Sequence, residues 1–129
     1  METIKVVAAL IKNADKYLIG LRSTGKYKGF WEFPGGKIEE NEELEAALMR
    51  EIHEEFEVNI SIEKLLFKIE HTYPEFILEM YCFLATSIDK DYVLNDHSET
   101  MWFDPKEDIE INWLPADLKI VELLRAINS

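Results

Sequence analysis

Gly35 to Val58 reads GGKIEENEELEAALMREIHEEFEV, a pair of glycines followed by a stretch with the periodicity of one long helix. At about 100° per residue, Leu44, Ala47 and Leu48 share an arc of that helix with Glu51, Glu54 and Glu55. The face that begins as core therefore ends as carboxylate. Three acids continuing an apolar stripe are crowded and partly desolvated, which raises their pKa values unless a cation neutralises them. A divalent metal answers that need. Hard oxygen donors without a supporting Cys or His cluster favour Mg2+ or Mn2+ over Zn2+. The ordinary alternative is a solvated acidic helix, and clustering on the apolar side argues against it.

Immediately upstream, Phe33-Pro34-Gly35-Gly36 is a turn whose glycines let backbone approach closely and leave the Gly35 and Gly36 carbonyls free to face an ion. Asn41 reads as the N-cap, with Glu42 and Glu43 in the first turn, where the helix dipole favours acids. Arg50 lies four residues before Glu54, the spacing of an ion pair, which serves equally as a surface contact or as part of a catalytic group.

Gly36, five residues, Glu42, seven residues and then Arg50-Glu51-Ile52-His53-Glu54-Glu55, closed by Val58, resembles the Nudix box of the Nudix hydrolases. One position departs. Glu57 stands where the box has its late glycine, so the left-handed end of the helix is expected at Asn59, a residue that tolerates the conformation. The resemblance implies the Nudix fold, a mixed β-sheet sandwiched between helices in an α/β/α arrangement, as one domain over 1–129 with its box over 36–58. It also implies hydrolysis of a nucleoside diphosphate linked to a further group. In MutT-like members a carboxylate in the loop before the last strand approaches the metal, and Asp96 holds that position. The segment matching Leu114-Pro115-Ala116-Asp117 lines the base pocket there, with an Asn or Asp reading the base edge.

The chain of 129 residues is long enough for one substantial core, and 47% hydrophobic with 12% aromatic residues excludes a disordered chain. A formal charge of -12 argues against binding a nucleic acid polymer or an anionic membrane, because no basic face could neutralise many phosphates. Residues 39–57 hold nine of the 26 acids, so a free triphosphate is repelled as well and is expected to arrive with metal. Cys82 is the single cysteine, which leaves no intramolecular disulfide and fits a reducing cytoplasm. The first residues, METIKVVAALIKN, carry too short an apolar run for a signal peptide. A cytoplasmic protein is expected, as a monomer or homodimer.

Outward from the helix, Thr3 to Ile11 runs apolar throughout, as a strand covered on both faces does. Asn13-Ala14-Asp15 turns it into a hairpin partner, Lys16 to Leu21. Arg22 at the end of that strand either meets phosphate oxygens or is an ordinary surface cation. Lys26 and Lys28, in the loop Ser23 to Gly29, are balanced in the same way between phosphate contact and solubility. Phe33 abuts the glycine turn, where a base stacked on it would set its phosphates near the metal. Trp31 is expected in the core. Ile62 to His71 and Phe76 to Thr86 form a second hairpin whose turn carries Tyr73, placed to edge a pocket. His53 and His71 are expected to pack or lie at the surface. After the polar loop Ser87 to Ser98, Met101-Trp102-Phe103 resumes the sheet. Leu114-Pro115 then opens a last helix, with Ile120, Val121, Leu123 and Leu124 on its buried side. Asp117 is either a helix-start acid or, by the resemblance, the residue that reads the base.

A nucleoside triphosphate pyrophosphohydrolase using Mg2+, with Mn2+ as substitute, is the resulting expectation. Glu51, Glu54, Glu55 and Asp96, with a Gly35 or Gly36 carbonyl, would hold metal beside Arg50. Arg22, Phe33, Tyr73 and Asp117 would hold substrate. CTP or dCTP comes first, since a carboxylate pairs with the cytosine amino group, and an oxidised purine such as 8-oxo-dGTP second. The rivals are a hydrolase of a dinucleotide or nucleotide sugar, and a nucleotide- or metal-sensing module that binds without turnover.

Overall fold

In the computed structural model, which describes residues 1–128, seven strands and two helices alternate as β1 Glu2–Asn13, β2 Lys16–Arg22, β3 Trp31–Glu32, β4 Gly35–Lys37, α1 Leu44–Phe56, β5 Ile60–Thr72, β6 Phe76–Ser87, β7 His97–Phe103 and α2 Pro115–Ile127. Strand β1 lies at the centre. It pairs in parallel with β6, from Glu2 opposite Phe76 to Ile11 opposite Ala85, and antiparallel with the short β4 on its other side. Strand β5 closes that part of the sheet antiparallel to β6. The tip of β1 turns through Ala14 into β2, which carries β3 on one edge and β7 on the other. The expected mixed sheet between two helices is therefore present.

Strand periodicity explains why β1 is apolar without interruption. Ala8 and Leu10 point to a core shared with Met80, Cys82, Ile120, Val121 and Leu124, beneath α2. Val7, Ala9 and Ile11 point the other way, to a core with Ala47, Leu48, Ile52 and Phe56 of α1. Alternate side chains of one strand so hold a helix on each face, and each large apolar side chain buried there contributes about 1.5–3 kcal/mol. Cys82 is buried as expected, and burial holds its thiol well above the usual range. No helix of the described residues is long and apolar enough to cross a membrane.

Both ends of α1 differ from expectation. Asn41 is not the N-cap. It takes a left-handed conformation, φ 63°, in the preceding turn, and the helix starts after Glu43, which has no side-chain cap bond. At the other end Glu57 itself, not Asn59, adopts the left-handed conformation (φ 54°, ψ 37°), and its N–H donates to the His53 carbonyl. A side chain there costs about 1–2 kcal/mol relative to glycine. Asn59 instead donates its N–H to Asp89 Oδ2 at 2.8 Å. In α2, Leu123 is 38% exposed rather than buried. Residues 104–108 form a capped turn, with the Lys106 N–H on Asp104 Oδ1.

Candidate functional site

The two glycines at the start of β4 serve two different neighbours. A Cβ on Gly35 would lie 1.9 Å from the Val7 carbonyl oxygen of β1, so only glycine lets the strands pair there. A Cβ on Gly36 would lie 2.4 Å from the Glu51 carboxyl carbon. The turn thus sits directly against Glu51, the first of the three acids Glu51, Glu54 and Glu55.

Along α1 the three acids have three environments. Glu54 is exposed, Glu51 has a side chain only 16% exposed, and Glu55 is 4% exposed. Burial, followed by the nearby Glu32 and Glu51 charges, pushes Glu55 up to about 9, against the opposing Gly35 N–H that donates to its Oε1 at 3.3 Å. Burial also raises Glu51, although Arg50 counteracts it. Asp96 is exposed in the loop before β7, near enough for its charge to act on both Glu51 and Glu55. Its carbonyl accepts from Ser23 Oγ at 2.8 Å.

Arg50 is far more than a partner of Glu54. Its Nε and Nη2 donate to the Glu42 carboxylate at 2.7 and 2.9 Å, Nη2 also to the Lys37 carbonyl at 3.0 Å, and Nη1 to Glu51 at 3.0 Å and Glu54 at 3.3 Å. Glu42 is held down to about 2 by that bonding. The guanidinium ties the end of β4, the turn that leads into the helix and two of the three acids into one body. For the same reason the acids do not form a ready-made cage: among the described residues no three His, Cys, Asp or Glu side chains converge as a metal-holding group. With Arg50 as counter-cation, Glu51 and Glu54 are drawn toward it.

The residues nonetheless suit a hard divalent ion. The donors are all oxygens, the missing Cβ of Gly36 leaves space against the Glu51 carboxyl, and the buried Glu55 carries a charge that only a proton or a cation can balance.

A cavity of about 480 Å³ runs from this turn into the molecule, with Arg22, Glu32, Phe33, Tyr73, Leu114 and Asp117 in its wall. A larger and more open hollow of about 570 Å³ between α1 and β5, lined by Leu44, Met49 and Leu65 among others, lies outside this constellation. Asp117 is 6% exposed, and its Oδ2 accepts the Phe33 N–H at 2.8 Å. Burial and then the Glu32 charge push it up to about 8. Arg22 grips Glu32 through Nε and Nη2 at 3.0 and 3.1 Å, which raises the Arg22 pKa further and leaves Nη1 outside that pair. Tyr73 borders the cavity from the β5–β6 turn, stacked on Phe76 at 4.9 Å, and burial with the neighbouring Tyr27 raises its phenol. Phe33 lines the cavity but is not an open stacking surface. It is 3% exposed because its ring already stacks on Trp113, with centroids 5.6 Å apart.

Sequence reading missed Glu32 and His97. Glu32 accepts from Arg22 and lies 3.0 Å from His97 Nε2. Burial acts to raise its carboxyl, but the bonds from His97 and Arg22 outweigh that and hold it below its ordinary value. The His97 ring stacks on Phe56 at 5.2 Å in a space that Gly20 leaves by having no Cβ. The available signal was an acid between Trp31 and Phe33, inside an apolar run, where a charge needs a partner.

Residues 6–123 match the family model described as the NUDIX domain. Across its whole length the chain is 27% identical over 130 residues to the CTP pyrophosphohydrolase of Escherichia coli (strain K12), 96% of which is covered. It is 45% identical over 58 residues to the 8-oxo-dGTP diphosphatase of Proteus vulgaris, an alignment covering 45% of this chain and 52% of that one. The crystal structure of the MutT protein from Methanosarcina mazei Go1 superposes with a TM-score of 0.85 at 25% identity, over 99% of this chain and 96% of that one.

Proposed function

The chain belongs to the NUDIX domain family, and on that premise we propose that it is a Nudix hydrolase converting a nucleoside triphosphate and water to the monophosphate and pyrophosphate. One observation carries the reading: Glu51 and Glu55 of α1 stand against the Gly35-Gly36 turn, and that turn and the buried Asp117 line the same cavity. This supports a reading in which the α1 acids are the anhydride-cleaving group and Asp117 the base-reading group of one nucleotide-sized cavity. The names of the Escherichia coli and Proteus vulgaris relatives support the same substrate class.

Glu51, Glu54, Glu55 and Asp96, with the Gly35 or Gly36 carbonyl, would hold Mg2+ or Mn2+. When bound, such an ion screens the polyphosphate, lowers the pKa of a water and stabilises the leaving phosphate. The protein's own groups do the rest. Arg50 fixes Glu51 and Glu54 relative to the turn. Arg22 offers Nη1 to an anion near the cavity mouth. Asp117, held by Phe33, keeps Oδ1 for the base. A carboxyl at about 8 is largely protonated at neutral pH and can donate as well as accept. That suits the cytosine edge, where an amino donor lies beside a ring-nitrogen acceptor, so CTP or dCTP is the favoured substrate, with 8-oxo-dGTP second. The pool concerned would be cytoplasmic.

The test is pyrophosphate release from ordinary and oxidised nucleoside triphosphates, beside a dinucleotide and a nucleotide sugar, with Mg2+. Turnover concentrated on one triphosphate base class is expected. Turnover only of the dinucleotide or the sugar would refute the assignment.

A further inference from the structure

The last four carbonyls of a helix have no partner within it, yet in α1 all four are satisfied. Glu57 N–H donates to the His53 carbonyl at 2.9 Å, Asn95 Nδ2 to Glu54 at 2.9 Å, Asn95 N–H to Glu55 at 3.1 Å and Val93 N–H to Phe56 at 3.0 Å. Three of the four donors come from the loop that bears Asp96. Asn95 Nδ2 also donates to Glu57 Oε2 at 3.0 Å. One residue therefore binds the backbone of Glu54, the backbone of Glu55 and the side chain of Glu57. Its neighbour Asp96 is held from the opposite side by Ser23.

We infer that Glu57 and Asn95 form a latch that fixes the Asp96 loop on the carboxylate end of α1. This explains why an acid occupies the position where the Nudix box has glycine. Glu57 accepts a left-handed backbone because that conformation turns its carboxylate toward Asn95, and glycine would offer no acceptor. Glu57 and Asn95 are positioning residues, not catalytic ones. They set the distance between Asp96 on the loop and Glu54 and Glu55 on the helix. The role rests on the reading of Asp96 as a carboxylate that approaches the metal.

The experiment compares Glu57→Gly, Glu57→Gln, Asn95→Ala and Asp96→Asn in the full chain. It reads kcat and KM with Mg2+, Tm, and amide hydrogen exchange at Val93 and Asn95 in the metal-free protein. Glu57→Gly removes the backbone strain together with the acceptor, so its Tm should be no lower than that of the parent. Exchange at the Asn95 amide should quicken about tenfold, and kcat should fall about ten- to a hundredfold with KM within about twofold. Asn95→Ala should show the same kinetic loss, whereas Glu57→Gln, which keeps an acceptor, should restore kcat. A role confined to stability would move Tm and kcat downward together. Glu57→Gly with unchanged exchange and kcat overturns the latch even if Asp96→Asn is inactive. If Asp96→Asn keeps full kcat while exchange quickens in Glu57→Gly, the role of Asp96 falls and the fastening of the loop stands alone.

Discussion

Replacing each of the adjacent glycines of the turn by alanine should produce two different failures. In Gly36→Ala the new methyl would meet the Glu51 carboxyl carbon at 2.4 Å, where ordinary contact begins at 3.4 Å. The obstacle is the end of a flexible side chain, so Glu51 yields by about 1 Å and the fold survives. A displacement of that size at a reacting centre costs about a hundredfold in rate, or about 2.7 kcal/mol of barrier. In Gly35→Ala the methyl would lie 1.9 Å from the Val7 carbonyl oxygen and 2.9 Å from the Ala8 Cα, both backbone of the central strand. Nothing there can rotate away. The β1–β4 pairing must open, at a cost of about 1–3 kcal/mol or more. Thermal unfolding and pyrophosphate release, measured on both variants, separate the cases. Gly36→Ala should melt close to the parent with kcat down about a hundredfold, and Gly35→Ala should melt several degrees lower. Full activity in Gly36→Ala, or an unshifted Tm in Gly35→Ala, would refute the placement of the turn between β1 and Glu51.

Other expected outcomes concern charge. Glu55 is pushed from 4.5 to about 9 and Asp117 from 3.8 to about 8, so between those limits the folded chain binds more protons than the unfolded one. The stability these protonated groups contribute is present at acid pH and lost as pH rises through about 8–9, so the Tm of the metal-free protein should fall from pH 6 to 9, less steeply in Glu55→Gln. Identical slopes in the two proteins would contradict the burial of that charge. Mg2+ at a hundred times its dissociation constant should stabilise the fold by about 2.7 kcal/mol, read as a rise in Tm; indifference to Mg2+ would remove the metal site. Asp117→Ala should alter preference among bases more than it alters Mg2+ dependence, measured as kcat/KM across the triphosphate panel. An unchanged preference would free Asp117 from that role.

The helix that bears Glu51, Glu54 and Glu55 was legible because its apolar and acidic positions share one 3.6-residue period, a property local to twenty residues. The two-faced burial of β1 was legible for a similar reason, since a strand covered on both sides admits no polar alternation. The caps were not. Whether Asn41 or Glu43 precedes the helix, and whether Glu57 or Asn59 ends it, depends on the Arg50 hub and on Asn95, 38 residues away from Glu57. The Arg22–Glu32–His97 group was illegible for the same cause. Glu32 and His97 are 65 residues apart and meet only because β3 and β7 flank β2. Phe33 adjoins the turn, as its place in the sequence requires, but its ring is committed to Trp113, which belongs to the segment leading into α2.

The most direct measurement of the central claim is product formation by the parent protein and by Glu55→Gln, each with CTP and with 8-oxo-dGTP in the presence of Mg2+. The parent should release monophosphate and pyrophosphate in equal amounts. Glu55→Gln, with its fold intact, should be slower by about 10²–10³-fold. Parent-like turnover in Glu55→Gln would contradict the assignment of the chemistry to the carboxylate end of α1.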